Sequence, residues 1–326
     1  MEYTQLGNCG LKISRLSLGA MGIGDKKWRS WVLDEGEARP VVRRALDHGI
    51  NLIDTCDFYS GGASELVLGE LLNGFVNRSQ VVLATKFGMN MGPEVNQRGY
   101  SRKHVIEAAE ASLRRLRTDR IDLYQTHIWD PSTNMEELIE ALDHLVRSGK
   151  VLYVGATDMP AWQFVKAVCH AKAKNLAHFV SMQNHYNLVW REDERELIPF
   201  CKAEGIGILP YSPAARGFLA GEVRRTGPGQ TERARTDNYA KEWYGRAADE
   251  SVAQVTEEIA RGRGASPAQI ALSWVLSNPA VHSPVIGPTQ VTHVDEAVAA
   301  LDIRLEPEEI AKLQEHYAPR FKTAHV

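Results

Sequence analysis

Eight short apolar runs, spread along the whole chain and separated by segments of helical period, constrain this sequence more than any other feature. They are Leu16–Ala20, Ile50–Asp54, Val81–Lys86, Ile121–His127, Val151–Thr157, Phe179–Gln183, Gly207–Pro210 and Pro284–Gly287. Each is nearly continuous in its hydrophobicity, as strands covered on both faces are. The segments between them carry helix signals. Ser101 is placed to cap a helix whose Ile106, Ala109, Leu113 and Leu116 share a face. Thr133 and Glu136 form a capping-box pattern, followed by Met135, Leu138, Ile139, Leu142 and Leu145, with Gly149 as the stop. Ser266–Pro267 opens another helix and Asn278–Pro279 ends it. Pro40 lies six residues after the candidate cap Asp34, so the first helix is expected to start later than that cap suggests.

Eight strand–helix repeats imply a closed α/β barrel, the (β/α)8 or TIM-barrel architecture. The 326 residues leave room for insertions beyond the ~250 of a typical barrel. The opening segment, Tyr3–Leu6 and Leu11–Ser14 around Gly7–Asn8 and Gly10, reads as an N-terminal β-hairpin that plugs the barrel bottom. The polar, Arg- and Gly-rich stretch 222–242 follows the seventh strand and reads as a long, mobile loop. With no linker and no internal repeat, residues 1–326 are expected to form a single domain. A doubly wound dinucleotide-binding sheet is disfavoured, because Gly19, Gly22 and Gly24 do not fall in the order GxGxxG. GPGQTE at 227–232 lacks the GK[ST] of a P-loop.

Composition removes several function classes. A net charge of −3 and a pI near 6.4 give no electrostatic reason to expect nucleic acid or an anionic membrane surface. No apolar run is long enough to span a bilayer. MEYTQLGNCG has neither a basic n-region nor an apolar h-region, so no signal peptide is expected. Cys9, Cys56, Cys169 and Cys201 are far apart with no CxxC, which suits free thiols in a reducing cytoplasm and disfavours zinc or any other metal.

In such a barrel the carboxyl ends of the strands face the active site. Asp54, Lys86 and His127 stand at the ends of three of the predicted strands, and Tyr59 follows Asp54 by five residues. Taken singly, each has a bland reading: a helix cap, a solvated charge, a hydrogen-bonded structural histidine. Together they suit reduction at a carbonyl, which develops oxyanion charge and needs a proton donor. A tyrosine is a poor acid at neutral pH, and a neighbouring ammonium lowers its pKa. Lys86 is placed to do this, Asp54 to hold Lys86 and keep it charged, and His127 to orient the carbonyl oxygen.

The segments INLIDTCDFYSGGASELVLGELL, VVLATK, DLYQTHIWD, YVGAT, FVSMQNHYNLVWREDERELIPFC and YSPAARGFLAG, in order along nearly the whole chain, resemble the aldo-keto reductase superfamily. The resemblance is closest to its YajO-like subgroup of bacterial and fungal reductases. It implies a tetrad at Asp54, Tyr59, Lys86 and His127, with Tyr59 as general acid and NADPH bound without a Rossmann fold. It also implies a cofactor strip. Thr157 and Asp158 stand where a Ser-Asn or Ser-Ser pair meets the nicotinamide amide, and Gln183 completes that contact. Tyr211 stands where an aromatic ring stacks on the nicotinamide. Ser212, Pro213, Ala214, Arg216 and Gly217 fall in the pyrophosphate stretch. Gly287, Thr289, Gln290, His293 and Glu296 fall at the adenosine end. There the usual Lys or Arg is replaced by Gln290, and a neutral amide makes no charge-assisted bond to a 2′-phosphate. His293 can do so only when protonated. NADH therefore stays possible beside NADPH, with Arg216, Arg233 or Arg235 as compensating candidates.

Trp28, Trp31, Phe58, Phe87 and Trp129 are the aromatic candidates for the substrate pocket, with Trp28, Phe58 and above all Trp129 favoured. The expected partner is a small-molecule carbonyl compound, with neither nucleic acid nor membrane. The resemblance leaves two alternatives: an NAD-linked alcohol dehydrogenase of the same fold, or a cofactor-sensing partner protein like the voltage-gated potassium channel β subunits.

Overall fold

The apolar runs fold as a ring of parallel strands in the computed structural model, which describes residues 1–221 and 231–320. An antiparallel hairpin of β1 (Tyr3–Gln5) and β2 (Lys12–Ser14) comes first. The barrel strands are β3 (Ser17–Gly19), β4 (Leu52–Asp54), β5 (Val82–Phe87), β6 (Ile121–Thr126), β7 (Val151–Thr157), β8 (Phe179–Gln183), β9 (Gly207–Ile208) and β10 (Val285–Ile286). Their order is β10-β3-β4-β5-β6-β7-β8-β9, parallel throughout. The ring closes between its two ends through the parallel bridge of Tyr211 with Val285, where the Val285 N–H donates to the Pro210 carbonyl at 2.7 Å. Each strand falls within one residue or two of the apolar run that predicted it.

Helices cover the outside. They are α1 (Glu35–Asp47), α2 (Ala63–Phe75), α3 (Arg102–Leu116), α4 (Met135–Arg147), α5 (Ala161–Ala173) and α6 (Leu197–Glu204) between successive strands. After β9 come α7 (Glu232–Thr236), α8 (Asn238–Trp243), α9 (Ala247–Arg263) and α10 (Pro267–Ser277). After β10 come α11 (Val291–Ala299) and α12 (Pro307–Glu315). Their buried faces form the outer core, including Leu138, Ile139, Leu142 and Leu145 of α4, which packs against β7. Fully burying each such side chain contributes roughly 1.5–3 kcal/mol.

The barrel interior is filled at its amino-terminal end by Leu6 and Ile13 of the hairpin, clustered with Leu52, Val82, Ala84, Leu123, Leu209 and Val285. Asn51, just ahead of β4, locks this plug: its Oδ1 accepts from the Ser14 N–H at 2.7 Å, and its own N–H donates to Ser14 Oγ at 3.0 Å. Gly7 is needed at the hairpin tip. Its φ is +56°, and a Cβ there would sit 2.2 Å from the Gly205 carbonyl oxygen. The hairpin thus closes the amino-terminal end and leaves the carboxyl ends of the strands open to the cleft.

Three local expectations are corrected. First, α1 starts directly after Asp34, which caps it reciprocally with Glu37, and Pro40 lies inside the helix. Pro40 is exposed, and the reciprocal cap offsets part of the hydrogen bond it removes. Second, the cap of α4 is Asn134, which accepts from the Glu136 N–H at 3.0 Å, while Thr133 donates its hydroxyl to Asp130. Third, residues 231–242 of the expected loop fold as α7 and most of α8, and 222–230 lie outside the described residues.

Candidate active site

Asp54 ends β4, Lys86 is the last residue but one of β5, and His127 directly follows β6. Parallel register brings these ends together. The Lys86 ammonium, wholly buried, donates to Asp54 Oδ2 at 2.6 Å and to the Thr55 carbonyl at 2.9 Å. It also donates to the Tyr59 hydroxyl at 3.4 Å. Asp54 Oδ1 accepts from Gln125 Nε2 at 3.0 Å and from Gln183 Nε2 at 2.9 Å. Removing one partner of such a buried pair strands a charge, which makes the pair all-or-none. Tyr59 reaches Lys86 from a single 3-10 turn, Tyr59–Gly62, in which Ser60 and Gly61 have φ of 53° and 61°. The Tyr59 ring meets His127 edge-on, centroids 5.7 Å apart, and lies 6.3 Å from Trp28.

Burial pushes the Tyr59 phenol well above its ordinary range, and Lys86 offsets this only in part. The sequence expectation had Lys86 lowering the phenol. The direction of its pull is as expected, but desolvation outweighs it. Tyr59 is therefore a protonated phenol at neutral pH, the form a proton donor needs. For Lys86, desolvation pulls its pKa down, but Asp54 and Tyr59 together outweigh it, and the ammonium is held above its ordinary value.

A cleft of about 910 Å³ opens over these residues. Asp54, Tyr59 and His127 line it, while Lys86 is sealed beneath. Every residue of the expected cofactor strip lines it too: Thr157, Asp158, Gln183, Tyr211, Ser212, Pro213, Ala214, Arg216, Gly217, Gly287, Thr289, Gln290, His293 and Glu296. Several features suit an extended polar ligand. Thr157 Oγ1 is buried and finds no hydrogen-bond partner among the described residues. Ser212, Ala215 and Arg216 hold φ of 54°, 50° and 55°, a cluster of left-handed non-glycine backbone of the kind found at ligand sites. Gln290 stands just ahead of α11 and gives it no side-chain cap, while the His293 N–H turns back to the Gln290 carbonyl at 3.2 Å.

The strip also departs from expectation. Asp158, itself left-handed at φ 48°, accepts from the Tyr211 hydroxyl at 2.7 Å. The acid that replaces an amide thus anchors the aromatic platform. The other support of Tyr211 is His185, stacked on it at 5.1 Å and on Trp190 at 4.4 Å. Gln183 is committed to Asp54 as well as lining the cleft. Arg216 pairs with Asp237 at 2.6 Å, and Arg233 approaches the same carboxylate at 3.4 Å. Burial would raise the Asp237 carboxyl, but Arg216, Arg233 and Arg29 hold it below its ordinary range. Arg235 pairs with Glu232 and does not line the cleft.

Of the aromatics expected at the substrate pocket, Trp28, Trp31 and Phe58 line the cleft, with the Trp28 and Phe58 rings edge-to-face at 6.0 Å. Trp129 does not; it packs on the outer core. Phe87 is likewise core, stacked on Tyr124 at 4.5 Å. Sequence reasoning missed Met89 and Ile128, which line the cleft. It also missed Gln125 and Asp237. Gln125 carries a readable signal: a buried amide inside an apolar strand, two residues before His127 and so on the same face.

Comparison with known proteins agrees with this geometry. The model of the aldo/keto reductase family matches residues 15–318. A versiconal hemiacetal acetate reductase of Aspergillus parasiticus is 40% identical over 98% of both chains. An aldo-keto reductase of Fusarium vanettenii is 39% identical over 98% of this chain and 92% of its own. A Saccharomyces cerevisiae protein bearing an aryl-alcohol dehydrogenase name is 38% identical over 98% of both. Placed beside a parallel barrel with an acid, a phenol, an ammonium and an imidazole at its mouth, these matches show that the chain belongs to the aldo/keto reductase family.

Proposed function

We propose that this protein reduces an aldehyde or ketone to an alcohol, with Tyr59 as the proton donor. The observation that carries the reading is the Asp54–Lys86–Tyr59 chain at the barrel mouth, with His127 against the phenol ring. A reduced nicotinamide dinucleotide, when bound, supplies the hydride. Thr157, Asp158, Gln183 and Tyr211 would hold its nicotinamide end, Ser212 to Gly217 its phosphates, and Gly287 to Glu296 its adenosine end.

The chain's own residues do the rest. Charge growing on the carbonyl oxygen is met by the Tyr59 O–H, which gives up its proton. The phenolate left behind faces the Lys86 ammonium, which Asp54 holds in place and Gln125 and Gln183 brace through Asp54. His127 orients the oxygen beside Tyr59. Trp28 and Phe58 form an apolar wall that suits a ring, in keeping with the aryl-alcohol name of one relative.

NADPH is the first choice of cofactor on the resemblance. Gln290 and the acidic Glu296 weaken that choice, since neither attracts a 2′-phosphate, and the amino-terminus of α11 offsets this only in part. This keeps an NAD-linked dehydrogenase, running the same site toward oxidation, as the second reading. Membership of the YajO-like subgroup, a single domain spanning the chain and a cytoplasmic setting belong to this proposal. For the setting, what supports it is that no described helix is long and apolar enough to cross a membrane.

Steady-state oxidation of NADPH and of NADH by the purified protein, with a reactive aromatic aldehyde, tests the reading. Turnover with NADPH is expected. Equal or better turnover with NADH would move the dehydrogenase reading forward. Tight cofactor binding without turnover would overturn the enzyme reading in favour of a cofactor-sensing role.

A further inference from the structure

Beneath His127 lies a polar chain that the proposed reaction does not use. Cys56 Sγ, fully buried, is 3.0 Å from His127 Nδ1. The same sulfur lies 3.3 Å from Asp57 Oδ1 and accepts from the Phe58 N–H at 3.4 Å. Asp57 is 1% exposed, and its Oδ2 finds no hydrogen-bond partner among the described residues. A thiol has one proton, so it can donate to His127 or to Asp57 but not to both.

We propose that Cys56 and Asp57 are positioning residues for His127: the thiol fixes which ring nitrogen carries the proton, and Asp57 sets, through the thiol, which arrangement is populated. The kinetic consequence rests on the reductase reading; the structural one does not.

Two arrangements follow from the distances. When Asp57 is a carboxylate, the thiol donates to it, Sγ accepts from the Nδ1–H of His127, and Nε2 is a bare acceptor. When Asp57 is a carboxylic acid, the thiol donates to Nδ1 and Nε2 carries the proton. Conversion adds one proton in all. It enters at Nε2, Nδ1 passes its own to Sγ, and Sγ passes its own to Asp57. Only the second arrangement lets neutral His127 donate to a carbonyl oxygen.

The groups around Asp57 favour a carboxyl that changes state near neutrality. Burial raises it most, then the Glu65 carboxylate of α2, while Cys56 and the Arg115 guanidinium of α3 pull the other way, leaving it at about 7. Glu65 is itself tied to Arg115 at 2.6 Å and to the Thr85 hydroxyl of β5 at 2.6 Å. The other titratable groups around Cys56 and His127 are the Lys86 ammonium of β5, which pulls the Cys56 thiol down, and the buried phenols of Tyr59, Tyr100 and Tyr124, which stay protonated because burial lifts them. The sign is then fixed. The donor form of His127 is present below neutral pH and lost as pH rises through it.

The test is the tautomer of His127, read by 15N NMR on histidine-labelled protein across about pH 6 to 8.5, beside kcat/KM for aldehyde reduction. In the native protein the Nε2–H form is expected to give way to the Nδ1–H form as pH rises. Reduction should fall on the order of tenfold over that range. Asp57→Asn, whose amide N–H can turn toward Sγ, is expected to hold the Nε2–H form throughout and flatten the profile. Cys56→Ser should keep the switch and Cys56→Ala should abolish it; if alanine prevents folding, the serine and asparagine variants still decide. A switch that persists unchanged in Asp57→Asn, or the absence of any switch in the native protein, overturns the inference. A switch without carbonyl turnover would instead support this inference and sink the reductase reading.

Discussion

Lys86 is the residue on which the site turns. It has no exposed surface, yet it carries a charge that Asp54, the Thr55 carbonyl and Tyr59 share. A lysine is strongly hydrated and rarely fully buried unless paired, so its place at the end of a hydrophobic strand was a legible anomaly. Asp54, Tyr59 and His127 were legible in the same way, as polar residues following apolar runs. Gln125 is legible in the same way, whereas the roles of Cys56 and Asp57 depend on where the loop after β4 meets His127. Spacing from His127 does not decide which side of a loop a ring faces, and Trp129 packs on the outer core. At the proposed adenosine end, Gln290 gives α11 neither a side-chain cap nor a charge. Gln290→Arg is expected to tighten NADPH at least several-fold while leaving NADH nearly unchanged, as a charge-assisted phosphate contact is gained. Equal changes in the two dissociation constants would remove position 290 from cofactor selection.

Elements were read more securely than their ends. All eight barrel strands were visible because parallel strands buried on both faces have no polar alternation to blur them. Caps were less secure. Ser101 and Ser266 cap their helices as expected. At α4 the neighbouring Asn134 takes the role, leaving Thr133 to Asp130. Asn134→Ala is therefore expected to cost about 1 kcal/mol in urea denaturation, the usual value of a lost cap; an unchanged midpoint would return the cap to Thr133. The stretch after β9 was the least legible. Its polar composition suggested a loop, whereas α7 and α8 are short helices, α7 bearing Arg233 and Asp237 standing between the two. There Asp237 draws Arg216 and Arg233 together beside the cleft. That ordering comes from tertiary ion pairs and rings such as Trp31 under Arg233 at 4.5 Å, which local periodicity does not encode.

At the scale of the molecule, closure and plugging divide the labour. The hairpin fills one end of the barrel, and the cleft opens at the other. The ring closes only because β10, more than 75 positions after β9, returns beside it. The family match spans residues 15–318, so the matched region includes strands from both ends of the ring. What the sequence leaves open at this scale is the carbonyl compound itself, since loops over the mouth set specificity and the barrel does not. The central claim is that Tyr59 delivers the proton. Its most direct test is single-turnover aldehyde reduction by Tyr59→Phe with reduced cofactor already bound, beside a fluorescence titration of that cofactor. The account predicts a loss on the order of 10²- to 10⁴-fold in the chemical step, with the dissociation constant within a few-fold of native. A variant that retains turnover within about tenfold of native would contradict it, because general-acid loss of that size is too small for the sole proton donor.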